Sequence, residues 1–236
     1  MKNYSEKIML NIRTFRAATV KERYIKKASL FISAFIIFLI ILWIIDLFKT
    51  PAYFRKVKPL HGEQVSLYLS NYIMPELYNK SQYDKPFDLV LSQAGINEII
   101  IRQIDPNVLA KAGLSDLTTR FKDDEIVLTA KTNYKGFDFI VSMTIEPKID
   151  KQGKLLLNAE DFQIGRSSLP FAAEMIRKKI IADLGQNFKT EKNDEFFNAI
   201  LSEGKIDPIF QINHSKLRVE KIDVQDQNLV LRFNPQ

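Results

Sequence analysis

Residues 125–145, EIVLTAKTNYKGFDFIVSMTI, decide the fold. Ile126, Leu128, Ala130, Thr132 and Tyr134 alternate with Val127, Thr129, Lys131 and Asn133. Phe137, Phe139, Val141, Met143 and Ile145 then alternate with Asp138, Ile140, Ser142, Thr144 and Glu146. Successive side chains of a strand point to opposite faces, so a period of two marks half-buried strands. Lys135-Gly136 between the runs is a turn signal, and the pair reads as an antiparallel hairpin. The pattern continues on both sides. Leu117, Thr119 and Phe121 lead into a turn at Lys122-Asp123-Asp124. Pro147 ends the regular alternation, Asp150-Lys151-Gln152-Gly153 turns the chain, and KLLLNAEDFQI at 154–164 is a further strand. Its alternation slips around Glu160-Asp161, which marks a bulge or bend. The whole is an antiparallel meander.

Outward from the meander the period changes. Upstream, Phe87–Leu91 is a short strand, and Ser92 is placed to cap a helix carrying Ile96, Ile99 and Ile100. Before it, Val65, Leu69, Tyr72 and Ile73 predict a helix over 62–79, kinked or ended near Pro75. Downstream, Gly165-Arg166-Ser167-Ser168 breaks the sheet, and Leu169-Pro170 opens a long helix with proline in its first turn. Leu169, Ala172, Ala173, Met175, Ile176, Ile180, Leu184 and Phe188 form its broad apolar face. A second helix is expected over 192–203. The chain closes on a short strand at Ile209–Ile212 and a hairpin of 216–224 with 228–233. The fold class is therefore α+β, a curved antiparallel sheet packed on a long helix.

Ahead of all this lies 28–48, ASLFISAFIIFLIILWIIDLF, with no charge before Asp46. At ~1.5 Å rise per residue, about 20 residues cover the ~30 Å hydrocarbon core of a bilayer. The run reads as a transmembrane helix, with Trp43 as an interface anchor. Residues 1–49 hold nine basic groups and three acidic ones, which is the whole net charge of +6. The remaining 187 residues hold 25 basic and 25 acidic groups and are neutral. Basicity here is a topology signal, so no nucleic-acid partner is expected. Eight of those basic residues precede the apolar run, which places the N-terminus in the cytoplasm and the rest outside. The expected organisation is a basic cytoplasmic tail at 1–27, a transmembrane helix at 28–48, a linker at 49–61 and one extracytoplasmic domain at 62–236. The apolar run is long for a signal peptide and no small-x-small site follows it, which favours an uncleaved signal anchor. Within the tail, Ile8, Ile12, Phe15 and Thr19 share one helical face; an interfacial helix and a flexible tail fit equally.

Reactive chemistry is sparse. The chain has no cysteine and two histidines, His61 and His214. It contains no HExxH, EF-hand loop, P-loop, GxGxxG or GxSxG. No catalytic residue, metal or cofactor is expected, and the chain reads as a non-enzyme. Asp123-Asp124-Glu125 and Glu160-Asp161 read as solvated turn groups. What remains is shape. Phe137, Phe139, Val141, Met143 and Ile145 on the sheet, with Phe171, Met175, Ile176 and Ile180 on the helix, would line either an ordinary core or a groove for acyl chains.

The stretch 136–181, GFDFIVSMTIEPKIDKQGKLLLNAEDFQIGRSSLPFAAEMIRKKII, resembles the hallmark of the YpmS-like family of bacterial single-pass membrane proteins. The shared order is Phe137–Ile145, Pro147, Gly153, Leu155–Leu157, Ile164-Gly165 and Leu169-Pro170. FDLVLSQAGINEIIIRQ at 87–103 resembles that family's strand and asparagine-bearing helix, with Asn97 in place. This chain departs by a longer tail and an added helix near 62–79. More distantly, the strand–LP–helix order and the closing hairpin are similar to LmeA-like and other tubular lipid-binding domains. That similarity implies, by analogy of fold, lipid held between a long helix and a bent sheet. The expected function is an anchored cell-envelope domain that binds or transfers membrane lipid. The alternative is a non-catalytic structural subunit with an envelope protein partner.

Overall fold

The computed structural model describes residues 29–54, 65–111, 113–134, 136–168, 205–212 and 215–236. The expected long helix from 169, the helix at 192–203, the N-terminal tail and both histidines lie outside them. The chain divides into two compact units between Asp46 and Leu47. The first carries all but the last two residues of α1 (Ser29–Phe48), a helix 20 residues long and apolar enough to cross a membrane. Every large apolar side chain from Leu30 to Ile45 is exposed. A helix apolar on all sides and covered by no protein suits a lipid environment.

The second unit is mostly antiparallel sheet with a few short helices. It opens with a π turn, Leu69–Ile73, that runs directly into α2 (Met74–Ser81). Pro75 stands in the first turn of α2. Proline lacks an N–H and crowds the carbonyl four residues earlier, and the wider π turn absorbs both defects without ending the helix. β1 (Phe87–Ser92) follows. The Ser92 side chain then caps α3 (Gln93–Gln103) by accepting from the Gly95 N–H at 3.1 Å. Asp105 accepts from Asn107 N at 2.8 Å at the start of α4 (Pro106–Lys111).

The meander follows as β2 (Leu114–Lys122), β3 (Glu125–Tyr134), β4 (Phe137–Ile149) and β5 (Leu155–Ile164). β6 (Ser167–Ser168) and β7 (Lys205–Ile206) both add to β5. The register of β4 on β5 shifts between Thr144 and Ile145, leaving Glu160 as the extra residue. This is the bulge that the broken alternation predicts. β8 (Ile209–Ile212), β9 (Ser215–Gln225) and β10 (Asn228–Pro235) belong to a separate sheet, ordered β1-β10-β9-β8. The first strand of the domain thus pairs with the last.

That four-stranded sheet carries the best-packed core. Leu89, Leu91, Leu217, Val219 and Phe233 are buried on one face, with Ile73 beneath the π turn. Tyr68, Leu77, Ile96 and Ile99 from the helices pack against them. The two sheets meet at their hairpin turns. Asp124 N donates to Val224 O at 2.9 Å, and Gln227 N donates to Phe121 O at 3.4 Å. A second seam is ionic: Asp207 meets Lys154 Nζ at 2.6 Å and Arg218 Nη1 at 3.2 Å.

Asp150 gives a pH prediction. It accepts from Lys205 Nζ at 2.6 Å and from the N–H groups of Gln152 and Lys154 at 2.8 and 2.9 Å. The Lys205 ammonium first, and then the backbone donors, hold its carboxyl down from the ordinary 3.8 to about 2. A depressed folded-state pKa contributes stability that is present above 3.8 and is lost as pH falls toward about 2. Asp150→Asn is therefore expected to lower the urea midpoint at neutral pH, with the gap to wild type closing across that acid window. A gap that stays constant with pH would show that the ion pair does not contribute.

Candidate functional site

The site expected from sequence is the apolar face of β4, and the strand register assembles it across three strands. Ile126 pairs with Ile145, Leu128 with Met143, Ala130 with Val141 and Thr132 with Phe139. On the other side Val141 pairs with Ile164 and Met143 with Phe162. Directly opposed residues share a face, so these positions form one continuous apolar surface. The bulge at Glu160 keeps this so, because beyond it Ala159 and Leu157 return to face Ile145 and Pro147. Ala130 and Phe162, in the middle of this surface, are buried, and along β4 itself exposure is graded. Phe137 is 60% exposed at one end and Ile145 is 4% exposed at the other. Phe139, Val141 and Met143 are half-buried between them. Ile145 and Leu157 anchor a small core with Leu128, Met143, Leu155 and Ile206 packed on it. Phe171, Met175, Ile176 and Ile180, the helix half of the expected site, lie outside the described residues.

The opposite face of the same strands is mostly polar, Val127 and the buried Ile140 apart. Thr129 and Ser142 are both buried, with their hydroxyls 3.2 Å apart. Residues 51–54, inside the stretch assigned as linker, lie against this face. Tyr53 Oη sits 3.1 Å from Ser142 Oγ and donates to Gln163 Oε1 at 3.4 Å. The Arg120 guanidinium covers its ring at 5.6 Å from the centroid. Pro51 is buried, and Phe54 N closes a turn on Pro51 O at 3.0 Å. A cavity of about 250 Å³ remains beneath this turn, between Tyr53 and the Gly165-Arg166 corner. Sequence reasoning missed this contact. The signal available was the aromatic pair Tyr53-Phe54, two residues after Pro51, which is unusual in a free linker.

A second feature missed from sequence lies at the edge of the meander. β2 is an edge strand of its sheet. Its outward backbone groups are met by two amide side chains of α3, one turn apart. Asn97 accepts from Thr119 N at 2.7 Å and donates to Thr119 O at 2.8 Å. Gln93 Oε1 accepts from Phe121 N at 2.9 Å. A helix side thus completes the edge in place of another strand.

Among the described residues no group of three or more His, Asp or Glu side chains takes a metal-binding arrangement. Asp161 accepts from Gln163 Nε2 and Ser168 Oγ at 2.8 and 2.7 Å. The bulged Glu160 shares a hydrogen bond with Glu146, which raises the Glu160 carboxyl, while Lys148 and then Glu160 hold Glu146 down. A cleft of about 300 Å³ between the two sheets is rimmed by Asp124, Glu146, Lys148, Glu220 and Lys221. Its charged rim makes it a poor seat for an acyl chain.

No protein-family model matches the chain, and no curated protein matches it.

Proposed function

We propose that the chain is a membrane-anchored, extracytoplasmic, non-catalytic domain of a bacterial cell envelope that binds lipid on the apolar face of β3–β5, by analogy with the tubular lipid-binding domains to which it is distantly similar. The observation that carries this reading is the continuous apolar surface from Phe137 to Ile145, on a domain that follows a helix apolar enough to span a bilayer. Each buried methylene of an acyl chain contributes about 0.8 kcal/mol, so such a face can hold lipid without a charged site. The basic residues ahead of α1 orient the N-terminus to the cytoplasm.

Lipid retention by the full chain tests it. Lipid is extracted from detergent-purified protein and quantified per chain, and intact complexes are weighed by native mass spectrometry. Met143→Lys places a charge in the centre of the face and is expected to remove about one bound lipid per chain, since an unpaired charge is not tolerated beside an acyl chain. Thr144→Lys, on the opposite face, is expected to retain it. Annular lipid around α1 is common to all three proteins, so equal retention in all three would defeat the reading.

A second reading, a structural subunit of an envelope complex, is favoured by a different surface. Leu67, Met74 and Tyr78 around α2, with Tyr83 beyond it, are large and exposed. Exposed apolar groups clustered in this way mark contact surfaces. A photocrosslinker at Tyr78 that captures one reproducible envelope protein in membranes would support this reading. A blank from intact cells would weaken it.

A further inference from the structure

The observations go furthest at the Phe137 end of the apolar face. Phe48 is the last residue of α1, two positions past the Asp46 that ends the uncharged run. Chain continuity alone therefore puts Phe48 at the boundary of any bilayer that α1 crosses. Within the compact unit that begins at Leu47, the Phe48 ring meets Phe139 at 5.0 Å and Phe137 at 5.8 Å between centroids. These contacts bring the tip of the β3–β4 hairpin against Phe48. Yet the cluster is not closed off by protein: Phe137 stays 60% and Phe48 48% exposed. At the adjoining Gly136, with φ +86°, an added Cβ would meet nothing within 4 Å.

We infer that the Phe137 end of the β3–β4 hairpin docks into the headgroup region of the same bilayer that α1 spans, and that it forms the entry from membrane to the apolar face. This rests on the lipid-binding reading for the word entry, and on α1 and the aromatic cluster alone for the docking. The charge at the tip is arranged to allow contact. Asp138, beside Phe137, is the carboxylate that would repel an anionic surface. Lys131 Nζ holds it at 2.7 Å and Asn133 Nδ2 donates to it at 2.8 Å. The segment after α1 is held in place as well, because Tyr53 is bonded to the sheet through Ser142 and Gln163. The second sheet meets the meander near Asp124 and around Glu146–Ile149, and at ~3.3 Å per residue that is on the order of 25 Å from Phe137. Phe137, Phe139, Val141 and Met143 then form an apolar path leading from the bilayer into the domain.

The chain has a single tryptophan, Trp43. In a Trp43→Phe background, single reporters are introduced as Phe137→Trp and, in the other sheet, Phe210→Trp. Full chains are reconstituted into phosphatidylglycerol–phosphatidylethanolamine vesicles containing phosphatidylcholine brominated near the headgroup or near the chain end. The expected result is at least twofold stronger quenching of Phe137→Trp than of Phe210→Trp, strongest with the headgroup-proximal bromine, together with a blue-shifted emission. Phe139→Trp serves as a second reporter should the first fail to fold, with the same expectation. Equal, weak quenching at both sites would overturn the docking. Quenching reports contact with the bilayer, and lipid retention reports the face. Strong quenching without retained lipid would therefore leave the docking intact while removing the lipid-binding reading, and with it the role as an entry.

Discussion

Asn97→Leu is expected to destabilise the domain by about 3 kcal/mol, although the two side chains have the same branched arrangement of heavy atoms. The Asn97 amide makes two hydrogen bonds to one residue of the β2 edge, to Thr119 N and Thr119 O. Thr119 is 4% exposed, so water does not replace what is lost. Each buried backbone group left unpaired costs roughly 1–3 kcal/mol. The site has little slack, since Thr119 Oγ1 is already without a partner among the described groups. Asn97→Asp keeps the acceptor and loses the donor, and is expected to fall between wild type and Leu. The measurement is denaturant unfolding of the full chain in mild detergent, followed by the β-sheet circular dichroism. A loss below about 1 kcal/mol for Leu would mean that the helix does not complete this edge in solution.

Gly95→Ala is expected to cost about 2–3 kcal/mol, against the usual sign. In a helix, alanine is normally favoured over glycine by about 1 kcal/mol. Here a Cβ on residue 95 would lie 2.2 to 2.4 Å from three atoms of the Tyr68 ring. The ring cannot simply turn away. It stacks on Tyr72 at 5.1 Å between centroids, and its hydroxyl accepts from Ser92 N at 2.8 Å. Overpacking of this kind costs roughly 1–3 kcal/mol, with about 1 kcal/mol more for the lost hydrogen bond. The cycle with Tyr68→Ala isolates the contact. In that background Gly95→Ala should become neutral or stabilising. If the penalty persisted without the ring, its origin would lie in the backbone of the α3 first turn instead.

Much of the local structure was legible before any coordinates. Ser92 caps α3 because a short oxygen acceptor just ahead of a helical period has few other uses. The meander strands follow from period-two alternation, and the bulge at Glu160 from the one place where that alternation fails. Pro75 announced an irregularity, but whether the helix would end or widen there depended on Ile73 reaching the core of the four-stranded sheet. The apolar surface of β4 was legible for the same reason as the strand. Its extension over Leu128, Phe162 and Ile164 depended on the register of β3 and β5 on β4.

The meander strands, the α3 helix, the faces they bury and the apolar run of α1 follow from local sequence pattern, because these rest on interactions between near neighbours and on the transfer of side chains from water. Long-range contacts alone settle that the strands divide into two sheets, that β1 closes on β10, that Gln93 and Asn97 complete the β2 edge, and that Tyr53 seats the segment after α1 on the polar face. Those choices join backbone edges and polar groups far apart in the chain. A backbone edge offers the same donors and acceptors whatever its side chains, so partner choice is written in geometry and not in any local pattern.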